Sequence, residues 1–210
     1  MVEPLRILLT GFPPFPGCPV NPTQQLVEAV RLGEVRLPDK CEVRPEVVPC
    51  AYREVEEVFT GLIDEFQPHV VLSFGVGHRD NLLHLECQGI NLDDSAVVDN
   101  AGECRQGGEI IPGGKFVLPA TLDLQQLSRH LESVGVNHVL SDSAGRYLCN
   151  HLLYFGLHLA RKQTVPYQMT FIHVRPLDAC GGTTAIVFQE FAAAVEHLIE
   201  GVVGQCRWGG

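Results

Sequence analysis

The chain has 210 residues, a formal net charge of −10 at pH 7 and enough apolar content (45%) to furnish a core, so one domain of this length needs no disulfide staples. Its acidic residues are dispersed rather than gathered into a tail, which disfavours a nucleic-acid partner. No run approaches the ~18 consecutive apolar residues of a membrane span.

The opening MVEPLRILLTGF has too short an apolar run for a secretory leader and no small-residue cleavage site, so a cytoplasmic location is expected. Residues 6–10 read as a buried strand, followed by GFPPFPG with Phe12 and Phe15. Asn21-Pro22 opens a helix over 22–31, an N-cap followed by proline at the first helical position. A strand over 43–48, a helix over 53–65 and an apolar strand over 70–74 follow, the last leading into GVGHRDN. A strand over 82–90 comes next. Residues 100–119, rich in Gly and Pro, read as a surface segment with at most short strands, either a functional lid or a long connection. Asp123 caps a helix over 124–133; a strand over 138–140 runs into SDSAGRYLC and a helix over 147–161. A strand over 169–174 and a helix over 183–199 complete the chain. This alternation predicts an α/β layered fold with a largely parallel sheet, taken as a single domain over 1–210 because no repeat, low-complexity tract or linker divides it.

The eight cysteines, at 18, 41, 50, 87, 104, 149, 180 and 206, show no CxxC and no repeated spacing. Mostly reduced thiols in a reducing compartment are expected. Nine histidines invite a metal, but no HExxH, CxxC or HxxxH pair stands on one face, so no metal ligand is assigned and no cofactor is expected. The turns GVG and SAG match neither GxGxxG nor GxxxxGK[ST], which leaves nucleotide binding with little support.

Ligands of open α/β sheets bind outside the carboxyl ends of the strands. By that rule GFPPFPG, GVGHRDN, SDSAGRYLC and the end of 169–174 bring Phe12, Phe15, a glycine turn, Cys149 and His173 to one edge. A thiol attacks as its thiolate, favoured by a helix N-terminus and by a neighbouring imidazole. Cys149 therefore reads either as an activated nucleophile or as one apolar residue of an inner helix face. His173, in MTFIHVRPL, reads as its base or as a histidine satisfied within the core. His151 lies two residues from Cys149, a spacing that does not share a helix face. A base also needs an orienting carboxylate, and Glu86, Asp93, Asp94 and Asp99 all remain open. Phe12 and Phe15 are either simply buried or the walls of a small flat pocket.

TGFPPF with the following Asn21-Pro22, then ECQGINLDD, VDNAG, SAGRYLCNHLLY and FIHV resemble, in that order, the pyrrolidone-carboxylate peptidases, also called type I pyroglutamyl peptidases. The resemblance implies a three-layer αβα sandwich with a mostly parallel mixed sheet. It implies a cytosolic cysteine omega-peptidase that removes an N-terminal pyroglutamyl (5-oxoproline) residue from peptides through a thioester, commonly as a homotetramer or dimer. It also implies a triad of Cys149, His173 and Glu86, since the family's glutamate stands five residues before an asparagine, as Glu86 does before Asn91. Phe12 and Phe15 match the pair that holds the lactam ring. Val76 stands just after the glycine that ends the third strand, where many bacterial members carry Gln and others Val, and is read as tuning the substrate pocket. Arg175 departs from the family pattern two residues past His173. Two other classes compete: a redox or carbonyl-active thiol protein, and a catalytically silent binder of capped N-termini on the same scaffold.

Overall fold

In a computed structural model, which describes residues 3–77, 81–164, 166–176 and 187–205, the first apolar run forms β1 (Leu5–Gly11). Its side chains feed two separate cores: Leu5, Ile7 and Leu9 enter one and Leu8 the other. A strand covered on both faces has no solvated side, so LRILLTG shows no polar alternation. The same division holds in β3 (Val70–Val76), where Val70, Leu72 and Phe74 face one core and Val71 the other. In β10 (Gln168–Val174), Ile172 and Val174 part from Met169 and Phe171 in the same way. With β2 (Cys41–Val47), β4 (Leu83–Glu86) and β9 (His138–Ser141) these strands form one six-stranded sheet in the order β2-β1-β3-β10-β4-β9. β2 is an edge strand, which is where Pro45 can be accommodated without loss of a ladder bond.

Helices cover both faces. α1 (Pro22–Arg31), α3 (Leu124–Ser133) and α5 (Phe188–Gln205) pack Leu26, Leu127 and Leu198 on one side. α2 (Tyr52–Phe66) and α4 (Leu148–Ala160) pack Phe59 and Leu152 on the other. Each fully buried side chain of this kind contributes about 1.5–3 kcal/mol, so the layers are held by the pattern that defined them. The predicted caps are in place: Asn21 Oδ1 accepts from Thr23 N at 2.9 Å and Asp123 Oδ1 from Gln126 N at 2.9 Å. Of the helix expected over 183–199, residues 183–186 lie outside the described residues, and the helix continues to Gln205. Among the described residues no helix is long and apolar enough to cross a membrane.

Two expectations change. The strand read over 82–90 is two: β4 belongs to the main sheet, while β5 (Gln88–Ile90) pairs with β8 (Val117–Pro119) in a separate ribbon. The break falls at Cys87, whose N–H donates to Ser141 O at 2.7 Å while its carbonyl accepts from Ala120 N at 2.8 Å. A second ribbon joins β6 (Asp93–Ser95) to β7 (Arg105–Gly108). The second change concerns direction. β1, β2, β3 and β10 run parallel, but β4 is antiparallel to β10 and β9 is parallel to β4. The carboxyl end of β9 therefore points away from the edge where β1, β3 and β10 end, and residues 142–147 carry the chain back to it.

Candidate active site

Cys149 is the second residue of α4, after Tyr147, the N-cap, whose backbone is extended (φ −106, ψ −164) and whose side chain makes no capping hydrogen bond. The first turn contains no acidic residue, so its N–H groups and the positive end of the helix dipole face the thiol without a competing side-chain acceptor. A Cβ added to Gly156 would meet Met169 Sδ. α4 thus descends along β10, its N-terminus over the strand's carboxyl end.

The glycine turn admits the thiol to the sheet. A Cβ added at Gly75 would lie 2.9 Å from Cys149 Sγ and 2.7 Å from Phe171 Cζ, closer than real Cβ contacts come. At Gly77 it would lie 3.1 Å from His173 Cβ. The GVG turn is bare because a sulfur and an imidazole approach its backbone.

Gly75 pairs with His173 across β3 and β10, which puts the thiol and the imidazole on neighbouring strands. His173, 4% exposed, bonds through Nδ1 to Glu86 Oε1 at 2.7 Å, and Glu86 is wholly buried. Glu86 pairs in register with Phe171, one step diagonally from His173 on the same face of the sheet. The bond at Nδ1 fixes the ring and leaves Nε2 for a second partner.

Phe12, Phe15, Val76, Tyr147, Cys149 and His173 line one cavity of about 280 Å³. Its described lining contains no carboxylate, lysine or arginine, a setting suited to an uncharged ring. The Phe12 wall is fixed by Phe12 N donating to Thr23 Oγ1 at 2.9 Å and Asn21 Nδ2 donating to Pro13 O at 3.0 Å. The segment after β6 closes the far side: Asn100 Nδ2 donates to Pro14 O at 3.0 Å and Tyr147 Oη to Val98 O at 3.1 Å. Val97, also in the lining, comes from this segment, and nothing in its local pattern marked it as part of a site. A second thiol in the lining, Cys50, is pushed up in pKa by burial, an effect only partly countered by the Tyr147 hydroxyl 3.9 Å away. It stays protonated and is a poor nucleophile. A larger cavity of about 400 Å³, beside Arg6, Asp64 and Tyr167, contains no cysteine or histidine in its described lining.

Comparison with known proteins settles the lineage. A family model described as pyroglutamyl peptidase matches residues 5–200. The chain belongs to the pyroglutamyl peptidase family. It is 34% identical over 169 residues to a pyrrolidone-carboxylate peptidase of Oceanobacillus iheyensis, covering 80% of this chain and 83% of that one. It is 28% identical over 173 residues to that of Pyrococcus furiosus, covering 81% and 80%. A solved structure of a mutant pyrrolidone carboxyl peptidase from Pyrococcus furiosus superposes with a TM-score of 0.87 at 25% identity, over 95% of this chain and 99% of that one. The fold is the layered α/β fold of the pyroglutamyl peptidases, with the mostly parallel mixed sheet expected.

Within this family member the four candidate carboxylates separate by what they hold. Glu86 meets His173. Asp93, 1% exposed, accepts from His151 Nδ1 at 2.9 Å and from Arg105 at 3.2 Å. Asp94 pairs with the exposed Arg146 at 2.9 Å. Asp99 accepts from Tyr52 N at 2.9 Å, Ala101 N at 2.9 Å and Glu103 N at 2.8 Å. It thus caps α2, whose own N-cap, Ala51, has no side-chain bond to give. His151, on α4 itself, is fully buried. Its Nε2 is 3.0 Å from Glu56 Oε1, off the N–H direction, so that contact is ionic rather than a hydrogen bond. Arg175 is half-buried and is not among the described residues lining the cavity.

Proposed function

We propose that this pyroglutamyl peptidase family member removes N-terminal pyroglutamate from peptides, with Cys149 as nucleophile, His173 as general base and acid, and Glu86 as the group that orients His173. The observation that carries the reading is the 2.7 Å Glu86–His173 bond, with His173 and a thiol at an uncapped helix N-terminus lining one cavity that Phe12 and Phe15 wall and whose described lining bears no carboxylate, lysine or arginine.

His173 takes the Cys149 proton, and Glu86 stabilises the imidazolium that results. The thiolate attacks the carbonyl joining pyroglutamate to the next residue, and the first-turn N–H groups of α4 receive the oxyanion. Such donors are worth about 3–4 kcal/mol each in well-studied sites. His173 then protonates the leaving amine, and water releases pyroglutamate from the thioester. Phe12 and Phe15 offer flat apolar faces to the lactam, and Val76 shapes the rim. A free N-terminal glutamate would bring charge into a cavity whose described lining has no counter-ion.

The proposal takes residues 1–210 as one domain acting in the cytoplasm as a homotetramer or dimer. None of the six described cysteines is in a disulfide, which supports a reducing compartment. The assembly rests on the family resemblance, and sedimentation of the purified chain reads it directly.

The test is release of a fluorescent amine from pyroglutamyl, prolyl and glutamyl amides, with and without a thiol alkylator. Release from the pyroglutamyl compound alone, abolished by alkylation, is expected. Equal release from all three sinks the lactam pocket, and release that survives alkylation of Cys149 sinks the nucleophile. A redox or carbonyl-active thiol protein would give no release while oxidising readily at Cys149, and a silent binder would retain the pyroglutamyl compound unchanged.

A further inference from the structure

Two loops far apart in the chain wall the cavity. One, residues 12–20, carries Phe12 and Phe15 and has four prolines in nine residues, whose fixed φ, and the restriction each places on the residue before it, leave the loop little freedom. The other, residues 96–104, joins β6 to β7 and carries Val97. Prolines have no N–H to donate, but two of their carbonyls are held. Pro13 O accepts from Asn21 Nδ2 at 3.0 Å, which ties the first loop to the start of α1. Pro14 O accepts from Asn100 Nδ2 at 3.0 Å, which ties it to the second loop.

Asn100 is exposed, yet its backbone is fixed. Its N–H donates to Cys50 O at 2.9 Å, and Gly102 N returns to Asp99 O at 3.1 Å, with Gly102 at φ +81. Asp99 Oδ1 holds the same turn through Ala101 N and Glu103 N. The Asn100 amide therefore stands on a pre-set turn, and because it meets a carbonyl it must present its NH₂. A second tie comes from α4, where Tyr147 Oη donates to Val98 O at 3.1 Å. Val97 is 52% and Val98 46% exposed, so packing beneath the loop does little to hold it. The gap between the two walls depends on these ties.

We infer that Asn100 is a positioning residue that, with the Tyr147 hydroxyl, fixes the wall bearing Val97 against the wall bearing Phe15 and so makes the site select a five-membered lactam over its six-membered homologue. The inference rests on the proposed function and deepens it. Asn100 is not among the described residues lining the cavity; it acts through Pro14 and the loop that carries Val97. A cavity of about 280 Å³ is at the small end for ligand sites. One added methylene changes kcat/KM by about 10–200-fold in an apolar pocket, provided the walls do not yield. Without the ties, the loop bearing Val97 yields before the proline-rich one.

The experiment compares release of a fluorescent amine from the pyroglutamyl amide and from the 6-oxopiperidine-2-carbonyl amide by the wild-type chain, Asn100→Ala, Asn100→Asp and Tyr147→Phe. Asp keeps the size of Asn and loses the donor. The wild type is expected to favour the smaller ring by about 10-fold or more in kcat/KM, and each variant to cut that preference by about 5-fold or more, through KM with kcat little changed. A wild type with no ring preference overturns the proposal. So does an unchanged ratio in a folded Asn100 variant, since a merely structural tie would weaken both substrates equally. Failure of all three variants to fold overturns it too. Protection of Cys149 from iodoacetamide by the two free ring acids, read by mass spectrometry, gives the same ratio without turnover. Release from neither amide, with protection that is ring-selective in the wild type and relaxed in the variants, would sink the proposed function and support this inference.

Discussion

His151 Nδ1 lies 2.9 Å from Asp93 Oδ2, and neither side chain is more than 1% exposed. Burial alone draws the His151 pKa down, but the hydrogen bond to Asp93 and the charges of Asp93 and Glu56 outweigh it and leave it above the ordinary histidine value. A group whose pKa is higher folded than unfolded contributes stability that is complete below the unfolded value, about 6.5, and lost as pH rises through the folded one. Unfolding free energy from urea titrations is therefore expected to decline from pH 6 upward through the raised His151 pKa. Asp93→Asn removes one partner of a buried pair and should cost about 3 kcal/mol at pH 6. If the mutant kept the wild-type slope over that window, the slope would belong to other groups.

Glu86→Gln keeps the shape beside His173 and removes the charge that stabilises its imidazolium. By analogy with triads in which this member is neutralised, kcat should drop by about 10²–10⁴-fold with little change in KM. Cys149→Ala, run alongside, sets the background. Steady-state kinetics on a pyroglutamyl amide give the answer, and a loss of only a few-fold would move the orienting role to another group.

Gly75→Ala places a methyl 2.9 Å from the Cys149 sulfur and 2.7 Å from the Phe171 ring. Overpacking of this kind costs about 1–3 kcal/mol of stability, and displacement of the thiol should lower kcat by at least about 10-fold. Thermal unfolding and kcat measured on one preparation separate the two effects. An alanine variant with normal kcat would mean that the thiol does not occupy this position during turnover.

Phe15→Ala opens one wall of the cavity. Loss of part of an aromatic contact worth about 1.4 kcal/mol is a tenfold change in affinity, expected as a raised KM for pyroglutamyl amides. Inhibition constants for free pyroglutamate and for an unrelated ring acid provide the control; an equal loss on both would show general damage rather than a lost lactam contact.

Much of this architecture was legible in the chain because it is local. The apolar runs, the caps Asn21 and Asp123 and the helical periodicities are decided within a few residues of themselves, and their elements appear where the pattern put them. The meeting of Cys149 and His173 was also anticipated, though partly for a mistaken reason: β9 runs against β10, and residues 142–147 do the returning. Strand direction depends on pairing between segments far apart in sequence, which periodicity does not encode. The same limit applied to the acids. Nothing local distinguishes Glu86, Asp93, Asp94 and Asp99, whose partners lie as far off as His173 and His151. Asp99 as the cap of α2 could not have been read from the sequence around that helix, where the cap position is Ala51. The glycines of GVG were visible, but their reason, a sulfur and a ring against the backbone, appears only in three dimensions.

The missing side-chain cap on α4 sets a trap for protein engineering. Tyr147 occupies a position where Ser, Asp or Asn would ordinarily add about 1 kcal/mol, and a consensus-minded search for thermostable variants would select that change early. Asp at 147 would seat its own carboxylate on the N–H groups proposed to receive the oxyanion, so that wherever the cap outweighs the lost Tyr147–Val98 hydrogen bond and Tyr52 ring contact, the protein melts later and turns over less. A library screened only by heat would then drift toward inactive survivors, and screening by turnover after heating would reject them.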